Sequence, residues 1–425
     1  MNRRNRFLTA LAHRDGPVPI DLGATAVTGI HCSVVHRLRD HYGLEKRPVK
    51  VHEPYQMLGW IEDDLLDAMG IDVLGVAGRT TLFGFENRDW KPWTTPWGQD
   101  VLVSSAFNTT RDGNDTLLHP QGDLNAPASG RMPEGGFFFD TIIRQEPIDE
   151  DALDPEDNLE EFAPIGDEDL TYYERECAAA RASGRGVITS FGGTALGDIA
   201  MVPAPFLKRP KGIRDVAEWY MSTVLRRDYV ETVFSRQTET ALANLERLHA
   251  VVGDTVDVAF ICGTDFGTQT SAFCSVATFE DLYAPYYRQV NDWIHKHTTW
   301  KTFKHSCGSV EMFMNSFIGA GFDIINPVQC SAAGMDPRDL KDRYGDRLVF
   351  WGGGVDTQKT LPFGTPEEVR SQVLERCRVF AGSGGFVFNA IHNIQARTPV
   401  ANVVAMVDAV HEFNAAGGSG ARDHA

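Results

Sequence analysis

The chain has 425 residues, 42% hydrophobic and 23% charged, the balance of a globular protein with a large core. Its 40 Lys plus Arg against 58 Asp plus Glu leave a formal charge of −18, which speaks against a nucleic-acid or anionic-membrane partner, since both need a positive face. No apolar run approaches the roughly 18 residues of a membrane span, Met1–Ala12 lacks the apolar core of a secretory signal, and seven scattered cysteines do not read as a disulfide framework, so a cytoplasmic enzyme with reduced thiols is expected.

In chain order, short apolar or β-branched segments predict strands at Val18–Leu22, Ile71–Val76 and Gly186–Phe191. Between the second and third, Arg79 to about Pro164 breaks the pattern. Its turn signals at Asp112-Gly113-Asn114 and Pro133-Glu134-Gly135-Gly136, and its aromatic cluster around Trp90–Trp97, predict a small antiparallel insertion or lid; the acidic stretch from Asp149 to Glu161 predicts a solvated connector. Val256–Ile261 is the next strand. Phe279, Leu282, Tyr283, Tyr286, Tyr287, Val290, Trp293 and Ile294 then recur at three- and four-residue steps, tracing one helix face. Strands follow at Thr302–Phe303, Phe322–Val328, Leu348–Trp351 and Gly385–Phe388. Thr365-Pro366-Glu367-Glu368 is a helix start with a Thr cap, and Thr398-Pro399 repeats the signal before Val400, Val403, Val404, Val407 and Val410.

Eight strands alternating with helices predict an α/β fold, a (β/α)8 TIM barrel with a β-rich insertion in its first half. An open doubly wound sheet is the rival, but the glycine-rich phosphate fingerprint after the first strand is missing. The expected organisation is the start of the barrel with an N-terminal helical segment over 1–78, the insertion and acidic connector over 79–165, the rest of the barrel with the active-site rim over 166–416, and a disordered tail over 417–425.

The sharpest chemical signal is Lys304-His305-Ser306-Cys307-Gly308. On a strand, His305 and Cys307 point to the same side, at the carboxyl end where barrel active sites are built, and an imidazole with a thiolate makes half of a tetrahedral zinc site. Cys330 and His392 stand at the ends of later strands and are the further metal candidates; spacing does not decide between them. The structural alternative packs Cys330 beneath a loop and has His392 donate to a backbone carbonyl. Asp265, in the loop Gly263–Ser271, is the candidate for proton transfer, with Gln269 beside it as a substrate contact; a turn-capping role for Asp265 is the alternative. Asp356, after Trp351-Gly352-Gly353-Gly354-Val355, and Asn393 and Gln395, flanking His392, are further substrate or supporting candidates. Thr25 and His31 belong to the mouth at the end of the first strand, although a lone His is more often structural.

The runs His305-Ser306-Cys307-Gly308, Asn326-Pro327-Val328-Gln329-Cys330, Trp351-Gly352-Gly353-Gly354-Val355-Asp356 and Phe388-Asn389-Ala390-Ile391-His392-Asn393-Ile394-Gln395 resemble the uroporphyrinogen decarboxylase-like superfamily. Within it, the chain looks like the zinc-dependent methyltransferase and demethylase branch, which includes methylcobamide:coenzyme M methyltransferases. The resemblance covers about Asp254 to Phe413 well and the first strand more loosely. It implies a (β/α)8 fold and Zn²⁺ held by the HxC pair plus a residue after the last strand, a position commonly Cys in the coenzyme M enzymes and His392 here. A related arrangement in cobalamin-independent methionine synthase favours Cys330 as well. Two departures stand out. The arginine-rich substrate motif of porphyrinogen decarboxylases has no counterpart in Asp21–His31, and there is no Asp-x-His-x-x-Gly corrinoid signature, so any cobalamin arrives on a separate corrinoid protein.

The resulting expectation is methyl transfer at zinc between a small methylated O-, N- or S-compound and a corrinoid protein or other acceptor, with Asp265 managing protons and Gln269, Asp356 and Asn393 orienting the substrate. The rivals are a metal-independent decarboxylase or lyase using Asp265, and a non-catalytic barrel that binds a methylated metabolite. Donor, acceptor, direction and oligomeric state are open, with a homo-oligomer compatible with the sequence. The aromatic residues Trp90, Trp93, Trp97, Phe137, Phe138 and Phe139 could cover a substrate, though core is expected for most of them.

Overall fold

A computed structural model describes residues 1–159, 163–191 and 196–418. Among them, the strands Val73–Val76, Gly186–Ser190, Val258–Cys262, Lys301–His305, Ile324–Asn326, Val349–Trp351 and Phe386–Val387 form one parallel sheet in chain order. Nearly continuous apolar sequence suits strands covered on both faces. The sheet curls until residues 18–22 close the gap between its edges. Ile20 bridges Phe388 in parallel, Asp21 N–H donates to the Phe388 carbonyl at 2.9 Å, and Asp72 N–H donates to the Ile20 carbonyl at 2.9 Å. This stave is irregular for a local reason: Pro17 and Pro19 have no N–H, and the Ile20 N–H goes to the Asp72 carboxylate instead of a backbone carbonyl. All eight predicted strand positions are therefore occupied, seven as ladder strands and one as this short bridge.

Two cores follow from the closed sheet. Val73, Ile188, Val258, Phe303, Ile324, Val349, Trp351 and Val387 point into the barrel, where Phe7 and Leu11 of the helix Arg3–Leu11 plug the amino-terminal end. Gly186 makes room for that plug, since a Cβ there would come within 2.1 Å of the Phe7 ring. A larger core lies between the sheet and the outer helices, which include Asp167–Ala182, Arg227–Val252, Ala284–His297, Pro366–Phe380 and Val400–Ala415. The stripe expected over 279–294 is buried at Phe279, Leu282, Tyr283, Tyr287, Val290 and Ile294, but it begins with a π-type turn at Phe279–Tyr283 before the α-helix Ala284–His297. Thr365 forms the expected reciprocal capping box with Glu368. Thr398 does not repeat it: its hydroxyl donates to the Gln395 carbonyl at 2.9 Å, and the helix starts uncapped by a side chain after Pro399.

The β-rich region makes two sheets. The hairpin Lys91–Thr94 and Asp100–Val103 adds in parallel to Val49–Glu53, which pairs with Leu58–Gly59, so two strands of this sheet precede residue 79. Thr109–Asp112, Asp115–Leu118, Gly130–Met132 and Asp140–Thr141 form the second, antiparallel throughout, with Gly113 at positive φ in its first turn. Residues 160–162 of the acidic connector and 419–425 of the expected disordered tail lie outside the described residues. No helix among the described residues is long and apolar enough to cross a membrane, and all seven cysteines are free.

Candidate metal centre

His305 is the last residue of the strand Lys301–His305, and Cys307 follows it by two. Phe303, His305 and Cys307 share the inward parity, while Thr302 and Lys304 turn to the helical layer, where the Lys304 ammonium lies 5.1 Å from the Phe266 ring centre. His392 arrives from the loop after Phe386–Val387, its backbone at φ 73, which turns the chain back over the mouth. The ligand atoms of His305, Cys307 and His392 lie within 4.8 Å of one another, the two rings 5.4 Å apart at their centres. His305 Nε2 and Cys307 Sγ are 3.4 Å apart. Two such ligands on a tetrahedral zinc stand about 3.6 Å apart, so this pair fits; three protein ligands leave the fourth position open, as in catalytic sites.

The tautomer of His305 is fixed from behind. Asn326 Nδ2 donates to the Trp351 carbonyl at 2.8 Å, so its Oδ1 faces His305 and accepts the Nδ1 proton at 2.6 Å. That leaves Nε2 with a lone pair toward the cavity. Burial pushes both imidazoles down to about 4, so both are neutral, the form that binds metal. His392 is less prepared. Its Nδ1 accepts the Asn393 N–H at 2.8 Å, a bond that competes with a cation for the imidazole lone pair. Burial, together with Asp265, holds the Cys307 thiol well above its usual range. A divalent cation reverses that, because a coordinated thiol is deprotonated.

Asp265 stands beside the cluster. Its Oδ1 accepts the Cys307 N–H at 2.6 Å and lies 3.8 Å from His305 Nε2; burial raises its carboxyl, with the Cys307 N–H and Lys304 opposing. These groups open on a cavity of about 2550 Å³ between the barrel mouth and the β-rich region, lined among others by Asp198, Phe260, His52, Glu53, Phe137 and Phe138.

The other expected site residues lie elsewhere. Cys330 is outside the cluster: its Sγ donates to the Val328 carbonyl at 3.3 Å, and the nearby charges acting on it are Arg376, Asp336 and Glu375. The positive φ of Val328, 57°, turns the chain after the strand, and Cys330 comes to lie near the helix Pro366–Phe380. Gln269 is exposed and accepts from Gln329 Nε2 at 3.0 Å, while Gln329 Oε1 accepts the Gly308 N–H at 2.8 Å; it fastens two rim loops and does not line the cavity. Asp356 caps its own turn, accepting from the N–H groups of Gln358 and Lys359. Asn393 is buried and joins Ala26, Gln56 and Gly29. His31 caps the helix Cys32–His41 through Nδ1, and its Nε2–H donates to the Phe137 carbonyl at 2.9 Å, tying the barrel to the β-rich region. None of these three lines the cavity. Phe137 and Phe138 do, Gln395 and Thr25 lie on the same wall, and Phe139 is core.

Several cavity acids escaped the sequence reading, Asp198 and Glu53 among them. Asp198 follows the strand Gly186–Ser190 at the same rim, a placement its position after a barrel strand could have signalled. Glu53 comes from the strand Val49–Glu53, and no local pattern marks it.

Residues 210–413, just under half of the chain, match the family described as Uroporphyrinogen decarboxylase (URO-D). The uroporphyrinogen decarboxylase of Psychromonas ingrahamii is 33% identical over 100 residues, 23% of this chain and 27% of that protein; that of Pseudoalteromonas translucida is 32% identical over 101 residues, 23% and 28%. The chain thus aligns with only about a quarter of the length of these relatives. A methyltransferase from Methanosarcina mazei shares the fold, with a TM-score of 0.53 and 15% identity over 97% of this chain and 99% of that one. The domain match supports the uroporphyrinogen decarboxylase-like superfamily over residues 210–413, and the methyltransferase likeness bears on the fold alone.

Proposed function

We propose that this chain is a zinc-dependent methyltransferase or demethylase that moves a methyl group between a small methylated O-, N- or S-compound and a corrinoid protein or other acceptor. The observation that carries the reading is the His305–Cys307–His392 cluster, whose two imidazoles line the cavity; three such ligands would leave a zinc ion room for one more. When bound, zinc supplies Lewis acidity, which makes a heteroatom a better leaving group or keeps a thiol as thiolate near neutral pH. The chain's own residues do the rest. Asn326 holds the His305 imidazole in one tautomer, and the walls from the β-rich region keep bulk water from one side of the mouth. In the demethylation direction the bond from methyl carbon to heteroatom breaks, the bond from methyl carbon to acceptor forms, and the heteroatom keeps the electron pair. Asp265, its carboxyl raised by burial, can give that heteroatom a proton, or take one in the reverse direction.

The decarboxylase reading draws on the names of the curated relatives, over a quarter of their length. Against it stand the missing arginines of Asp21–His31 and a lining whose arginines are all engaged by carboxylates (below). The test is metal content and activity together. The methyl-transfer reading expects about one zinc per chain, lost in Cys307→Ala, with methyl transfer lost on chelation. Carbon dioxide release that survives chelation, from a protein with no zinc before or after the substitution, would replace it with the decarboxylase.

A further inference from the structure

The cavity wall around the candidate metal centre is short of positive charge. Among the described residues, Asp198 accepts backbone N–H groups alone, from Gly263 and Ala200, each at 3.0 Å. Glu53 does the same on the wall from the β-rich region, accepting from Tyr55 at 3.0 Å and Gln56 at 2.7 Å. Burial holds both carboxyls above their ordinary range, Glu53 at about 7. The His52 imidazole beside them is neutral, pushed down to about 4 by burial, and its ring nitrogens have no hydrogen-bond partner among the described residues.

Cations near this wall are already committed. Arg79 bonds Glu86 and Asp169, each at 2.7 Å; Arg47 bonds Glu62 at 2.6 Å; Arg175 bonds Glu176 at 2.8 Å; and Arg88 lies 3.4 Å from Glu86. Lys304 lies behind the strand, its ammonium donating to the carbonyls of Thr264 and His305, and from there it draws down the carboxyls of both Asp198 and Asp265 against their burial. The apolar part of the wall is aromatic: Phe260, stacked on Phe303 at 5.0 Å, reaches the cavity from the barrel interior, and Tyr55, Phe137 and Phe138 reach it from the opposite side.

We propose that the compound accepted over the metal centre is a small organic cation, an ammonium or quaternary amine, with Asp198 as its counter-charge and the aromatic rings as its walls. This deepens the methyl-transfer reading and rests on it for the position of the ligand, while its charge argument stands on the cavity alone. Asp198 and Asp265 share the field of one buried ammonium, Lys304, so this low-dielectric wall holds more carboxyl groups than nearby cations; an alkylammonium offsets that excess while matching the negative faces of the rings. An anionic substrate would meet Asp198, Asp265 and Glu53, with the Lys304 ammonium as their shared offset among the described residues.

The test is isothermal titration of the full chain with choline and with 3,3-dimethyl-1-butanol, its neutral carbon isostere, and with tetramethylammonium and 3,3-dimethylbutyrate as the compact cation and the anion. The expected result is that choline binds about tenfold tighter than its isostere, that the butyrate binds weakest, and that the preference collapses in Asp198→Asn but persists in Asp198→Glu. Equal or tighter binding of the neutral isostere, or no cation bound more tightly than it, overturns the proposal. Should Asp198→Asn fail to fold, Glu53→Gln and the wild-type ranking still decide. The two readings fail separately. A cation preference without methyl transfer to any acceptor removes the transferase and keeps this inference; methyl transfer from a neutral ether with no cation preference does the reverse.

Discussion

Replacing Asn326 with Leu probes how the metal centre is held. Asn326 is fully buried and makes two hydrogen bonds, accepting His305 Nδ1–H at 2.6 Å and donating to the Trp351 carbonyl at 2.8 Å. Leucine keeps the volume but leaves both partners unsatisfied in an apolar surrounding. At about 1–3 kcal/mol for each of the two stranded groups, the fold should lose about 2–6 kcal/mol. The imidazole also loses what fixes its proton on Nδ1, and loss of such a supporting partner weakens metal binding by about 10- to 100-fold. Asn326→Asp keeps the acceptor for His305 and should retain most of the affinity, at the expense of the bond to Trp351. Competition against a chromophoric chelator gives the affinity, and urea denaturation of the metal-free protein gives the stability. A folded Asn326→Leu protein that binds zinc like wild type would refute the idea that this amide sets the ligand.

Three further outcomes follow from the same geometry. Cys307→Ala should abolish stoichiometric zinc while Cys330→Ala retains it, because only Cys307 has its sulfur in the cluster; equal zinc in the two variants, by elemental analysis, contradicts the assignment. Zinc affinity should rise with pH, by about one decade per unit between pH 6 and 8. The sign follows from the groups: the Cys307 thiol is raised and so holds a proton that the metal must displace, whereas His305 and His392, at about 4, are already neutral there. A flat profile in that window would mean that no thiol proton is released. His31→Ala should cost about 1–3 kcal/mol of stability, through loss of the cap on Cys32–His41 and of the bond to Phe137, with zinc affinity unchanged; a drop in zinc affinity at unchanged stability would return His31 to the site.

The barrel was legible because strands buried on both faces are apolar almost throughout, as in Phe322–Val328 and Leu348–Trp351. The first sheet of the β-rich region was half hidden: Val49–Glu53 carries Lys50 and His52, and its parallel partner Asp100–Val103 is some fifty residues away, beyond any local pattern. At the site, His305 and Cys307 could be read because a spacing of two on a strand end carries a direction. Cys330 was a candidate only by its place after a strand end, which carries no direction, and the positive φ of Val328 turns the chain there. Gln269, Asp356, Asn393 and His31 show a second limit. Polar residues at a barrel rim serve either ligands or the backbone of neighbouring loops, and the sequence does not say which. In these four the loops won, whereas Asp198 and Glu53, bonded to backbone in the same way, also face the cavity.

Zinc-edge X-ray absorption on the full chain tests the central claim most directly, because it reads the donor atoms themselves. The account predicts two nitrogen donors at about 2.0–2.1 Å, one sulfur at about 2.3 Å and one further light atom, with the sulfur lost in Cys307→Ala. A first shell with no sulfur, or one holding two sulfurs, would contradict it.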